Sequence, residues 1–146
     1  MGKIALLAQL GTTLPLVGLI WFVQVVAYPQ FARVDAASFP AYHAAHATLI
    51  SYLVGPLMLV ELGACLLMVV ARPPAVSMTV AIVGLGLCAL AWGVTGLVSV
   101  PLHETLGRGF DVSAHARLVS SNWLRTLAWT ARGALLLWTM TRTAEL

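Results

Sequence analysis

The sequence predicts an all-α protein, an integral membrane antiparallel four-helix bundle that forms one domain over residues 1–146. Three observations lead there. Hydrophobic residues make up 60% of the chain and charged residues only 9%, where soluble domains carry about 25% charged. Four apolar runs follow one another, each long enough to span a hydrocarbon layer of about 30 Å. The breaks between them are short and marked by Pro29, Pro40, Pro73, Pro74 and Pro101, which suits an up-and-down arrangement. The net charge of +3 is spread without a basic block, which argues against nucleic acid as a partner and for the lipid bilayer. Cys65 and Cys88 stand alone in apolar runs without a C-x-x-C pair, so both read as packing residues.

The first helix is expected over residues 4–28, with a bend at Pro15 and Tyr28 as an interfacial anchor. Its apolar run is too long for a cleaved signal and lacks an A-x-A-like site, so it reads as a retained helix. The connection from Pro29 to Pro40 carries Arg33 and Asp35, and Phe31 and Phe39 are expected to lie against the membrane surface. A second helix over 42–71 should kink at Gly55-Pro56, because Pro56 has no N–H for the carbonyl four residues back. Arg72-Pro73-Pro74 ends it. The third helix, 77–100, carries Gly84, Gly86, Gly93 and Gly96, which would let a neighbouring helix or a second copy of the chain approach closely. Pro101 is expected to close it. The fourth covers 113–142. Lys3, Arg72 and Arg142 then fall on one side and Arg33, Arg108 and Arg117 on the other. The N-terminal amine tips that balance towards cytoplasmic termini in a bacterial inner membrane.

All four histidines fall at one end of these helices. His43 and His46 are three residues apart and share a helix face. With His103 or His115 they could hold a copper, iron or zinc ion. The same residues could instead work without metal, one imidazole serving as a base near neutral pH, or simply cap helices and bind headgroups. No two histidines fall deep in opposite helices, so haem ligation is not expected.

A polar stripe runs down the fourth helix, where Asn122, Arg125, Trp129 and Arg132 recur at three- and four-residue steps. Glu61 lies about 27 Å below His43, and Arg132 about 25 Å below His115, at 1.5 Å per residue. These matching depths predict a buried Glu61–Arg132 ion pair. Arg125 has no carboxylate at its level. It either snorkels towards Asp111 and lipid phosphate or lines a pocket with Asn122 for an oxyanion or carbonyl. Gln24, Thr95 and Ser99 face either that pocket or neighbouring helices, and Trp123 and Trp129 could shape it.

The V-P-L-H-x-x-L of 100–106 and the N-W-L-R-T-L-A of 122–128 resemble a family of small four-helix membrane proteins, the anthrone-oxygenase-like family. The Tyr28-Pro29 exit from the first helix is similar too. The chain departs from that pattern with His103 in place of Asn and Ser121 in place of Trp. The resemblance implies oxidation of an activated aromatic C–H by dioxygen, without an organic cofactor. His43 or His115 would take a proton next to a carbonyl, and Asn122 and Arg125 would hold the enolate. Dioxygen would then react directly or through a metal on the same histidines. The leading expectation is therefore a membrane oxidoreductase acting on a lipophilic, aromatic or polyketide-type small molecule. The competing readings are a non-catalytic membrane subunit or assembly protein, and a metal-handling membrane protein.

Overall fold

The computed structural model describes residues 1–144, and every regular element among them is a helix. We number the long helices α1 (Gly2–Phe31), α2 (Phe39–Ala71), α3 (Met78–Leu106) and α4 (Val112–Ala144). The first three are long and apolar enough to cross a membrane; α4 is long but falls short in apolarity. Four equivalent spans were expected, and the polar stripe of α4 is the reason for the difference. Asn122, Arg125, Thr126, Arg132 and Thr139 are all buried, while Trp123, Leu124, Leu127, Leu137 and Trp138 are exposed. The helix is amphipathic with its polar face turned inward, the reverse of a helix on a water-soluble core.

The helices meet end to start. Gly2 packs on Ala71 and Pro73, and Gln9 Nε2 donates to the Ala64 carbonyl at 3.1 Å. At the other end the Tyr28 ring stands 6.4 Å from that of His46 and 5.6 Å from that of His103. The 32–38 and 107–111 connections therefore share one end of the molecule. Ser77 Oγ accepts the Val80 N–H at 3.3 Å to start α3, and Asp111 Oδ1 accepts the Ala114 N–H at 2.6 Å to start α4. Gly109, at φ +150°, supplies the backbone turn between them that a side chain would resist.

Pro29 and Pro101 do not end their helices. Each sits in the first turn of a resumed helical segment, directly after a π-helical stretch, Val23–Ala27 in α1 and Thr95–Ser99 in α3. A proline lacks the N–H its preceding turn needs, and its ring crowds the carbonyl four residues back. One wider turn relieves both problems. The continuation carries Phe31 inward, so Phe31 and Phe39 are fully buried and meet edge to face at 5.9 Å. They plug the core and do not lie on the membrane surface as expected. Tyr28 is likewise buried and no anchor. α2 is one helix through Gly55 and Pro56. The glycine stripe of α3 reduces to one close approach: a Cβ on Gly84 would stand 3.1 Å from Arg132 Nη1, whereas Gly86, Gly93 and Gly96 have open space.

Candidate functional site

Two polar clusters lie at different depths between the helices. The deeper one centres on Glu61, which is fully buried. Its Oε1 accepts from Thr13 Oγ1 at 2.6 Å and from Arg132 Nε at 2.9 Å. Its Oε2 accepts from Trp129 Nε1 at 3.0 Å and, more distantly, from Cys88 Sγ at 3.8 Å. Arg132 donates further to the Gly84 carbonyl and, at 2.8 Å, to Gln9 Oε1. All four helices contribute, and both charges are matched on every side. Such a pair holds a fold together because losing either partner strands the other in a dry interior.

The shallower cluster joins Tyr28 of α1, His43 and His46 of α2, His103 of α3 and Arg125 of α4. Tyr28 Oη lies 3.0 Å from His103 Nε2, and His103 Nδ1 lies 3.0 Å from His43 Nε2. The result is a three-group hydrogen-bonded chain along which a proton can shift in either direction. His43 is covered by the rings of Phe31 and Phe39, each 5.7 Å away. Arg125 Nη1 donates to Ser99 Oγ at 3.3 Å and to Asn122 Oδ1 at 3.2 Å, and the guanidinium stands 5.3 Å from the Trp129 ring centroid. Asn122 Nδ2 donates in turn to Gln24 Oε1 at 2.8 Å. Arg125 is only 6% exposed, so it does not snorkel to Asp111 or to the surface.

A cavity of about 350 Å³ opens beside this cluster, lined mainly by aliphatic side chains, with Tyr28, His103, Arg125 and Trp129 among its polar and aromatic features. That size and lining suit a small lipophilic ligand oriented by a few polar groups. Among the described residues, the buried side-chain nitrogens without a hydrogen-bond partner are Arg125 Nε and Trp92 Nε1, and both residues line this cavity.

The predicted site residues are thus partly gathered and partly set apart. Arg125 and His103 line the cavity with His46. His43 lies behind His103, and Asn122 lies behind Arg125. His115 turns elsewhere, its Nε2 lying 2.7 Å from the Tyr28 carbonyl oxygen. The proposed metal set His43, His46, His103 and His115 does not assemble: no group of three His, Cys, Asp or Glu among the described residues is placed to hold a metal ion. Both ring nitrogens of His103 are already engaged, and the His43–His103 pair, although it faces across two helices, is bonded too closely to admit an iron. Thr95 and Ser99 do face the cavity, whereas Gln24 serves α4 instead. Trp123 stacks edge-on with Trp21 at 5.6 Å, away from the site.

Tyr28 and Trp92 are among the lining residues that sequence reasoning did not assign to the site. Trp92, Thr95 and Ser99 share one helix face at three- and four-residue steps, a polar stripe on α3 matching that of α4. That signal was present. Comparison with known proteins adds no further constraint: no family model, curated protein or solved structure matches the chain.

Proposed function

We propose that the chain is an integral membrane, antiparallel four-helix bundle that oxidises a lipophilic carbonyl compound with dioxygen in the cavity beside Tyr28, His103 and Arg125. The membrane part rests on the inside-out distribution of α4 and on three apolar helices. Within the long helices Leu97, Leu127 and Trp138 face outward while Gln9, Glu61, Asn122 and Arg132 are enclosed, the arrangement favoured when the surroundings cannot hydrogen-bond. The single observation that carries the reaction is an apolar cavity in which a buried guanidinium and a Tyr–His–His chain come together.

The substrate carbonyl sits against Arg125, and the acidic carbon beside it faces Tyr28. Tyr28 Oη takes the proton while its own passes to His103 Nε2 and the His103 Nδ1 proton passes to His43. The electron pair of the broken C–H bond stays on the substrate as an enolate, held by a fixed cation in a dry site. The enolate carbon forms a bond to dioxygen, and the stored proton returns along the chain to give a hydroperoxide. Loss of water from that group leaves a second carbonyl, so one methylene and one dioxygen become one ketone and one water. The resemblance of 100–106 and 122–128 to anthrone-oxygenase-like proteins supports this class of substrate. No step is routed through a metal, because the donor set does not fit one.

Anthrone in lipid nanodiscs is the direct test, read as oxygen uptake and anthraquinone formation. The wild type should accelerate oxidation above the protein-free rate with one dioxygen consumed per anthrone. His103→Ala and Arg125→Met should each lower that acceleration about 10²-fold or more. No acceleration by the wild type overturns the reaction.

A further inference from the structure

We infer that the cavity is reached sideways from the hydrocarbon layer, through a gap between α2 and α3 at Gly55, by a lipophile whose head offers acceptor oxygens to both Arg125 Nε and Trp92 Nε1. This rests on the cavity being a ligand site, as proposed above, but not on the reaction.

The opening is read from residues that line the cavity and also reach the outer surface. On α2 these are Ser51, Gly55 and Leu59, four residues apart on one face, with Leu59 62% exposed. Across the gap stands Val100 of α3, 47% exposed. Gly55 leaves the gap unfilled, since a Cβ placed there would meet nothing within 4 Å. It lies midway along α2, about 24 Å from either end at 1.5 Å per residue. An opening at that height faces acyl chains and not water, so the visitor must already be dissolved in the bilayer.

The head chemistry is read from the two unpartnered donors. A buried N–H without an acceptor keeps the full cost of losing its water, and such groups are otherwise paired in native structures. Here the two side chains that carry them line one cavity from different helices, the nitrogens themselves enclosed. A small turn of each side chain towards the cavity lets a ligand oxygen meet it and removes both deficits. A pure hydrocarbon would leave them standing, and a site built to hydrogen-bond its ligand discriminates strongly against one that cannot.

Two probes of similar shape test this in nanodiscs: 2-methyl-1,4-naphthoquinone, with two carbonyl oxygens, and 2-methylnaphthalene, with none. Retention is measured against protein-free discs. The wild type should hold the quinone at least about tenfold more tightly than the hydrocarbon. Trp92→Phe, which keeps an aromatic ring but loses the N–H, should erase about tenfold of that preference and leave hydrocarbon binding unchanged. Gly55→Leu should slow quinone uptake at least about tenfold, while Gly63→Leu, also facing open space on α2 but outside the cavity lining, should not. Equal binding of the probes, or a preference untouched by Trp92→Phe, overturns the head chemistry; equal effects of the two glycine variants overturn the route. Retention of neither probe by the wild type overturns the inference as a whole. Anthrone turnover unaffected by Trp92→Phe and Gly55→Leu overturns it too while leaving the reaction standing. The expected binding pattern without turnover does the reverse.

Discussion

Arg132 and Arg125 sit on the same helix, both enclosed, and they are treated very differently. Arg132 meets a carboxylate, a hydroxyl, an amide oxygen and a backbone carbonyl. Arg125 has a hydroxyl and an amide oxygen on one nitrogen, the Tyr28 hydroxyl as a further partner and a tryptophan face beneath it; among the described residues it has no carboxylate and its Nε has no partner. A buried cation with every donor matched has no capacity left for a ligand, so it belongs to the scaffold. A buried cation with a donor to spare beside a cavity keeps that capacity. The contrast teaches where to look for chemistry in this molecule: at the poorly matched arginine.

The largest expected effect would break the scaffold side of this contrast. Glu61→Leu should cost about 3–5 kcal/mol in detergent unfolding followed by circular dichroism, because Arg132 is left uncompensated. The double change with Arg132→Met should cost clearly less. Equal costs would remove the distinction between the two arginines. Arg125→Met sharpens the other side: it should cost less than about 2 kcal/mol by the same measurement, since no charge partner is stranded, while abolishing quinone preference and anthrone oxidation. Tyr28→Phe keeps the ring and removes the bond to His103. It should cost about 1 kcal/mol and lower turnover far more than that would suggest. The smallest effects come from a glycine pair on α3. Gly84→Ala should destabilise by up to about 1 kcal/mol because Arg132 is pinned to that backbone, whereas Gly86→Ala, in open space, should stabilise by a similar amount through helix propensity.

The deep cluster was legible to the degree that it obeys straight-helix arithmetic. Glu61 and Arg132 fall at matching depths in the sequence, and the structure has them 2.9 Å apart. The shallow cluster lies beyond the two π-helical stretches, where that arithmetic fails. Each wider turn rotates the helical segment after it, so Tyr28 and His103 arrive inside although Pro29 and Pro101 read, by composition, as helix stops. The gathering of histidines at one end could be read from topology. Which imidazole faces the cavity could not, because His43, His46, His103 and His115 differ by rotation about a helix axis and not by depth. The glycines of α3 show the same limit: small residues at near-regular spacing do not reveal which of them is pressed against a neighbouring helix of the same chain, and only Gly84 is.

The inward polar face of α4 has a consequence for biogenesis. An isolated helix carrying Arg125 and Arg132 would enter a bilayer at a penalty of about 2.5–3.5 kcal/mol per arginine near its centre, more than its outward leucines and tryptophans readily offset. On the proposed membrane reading, α4 cannot partition alone and has to join helices already holding Glu61 and Gln9. Assembly of the last helix is then a templated event, and the deep carboxylate is its docking point.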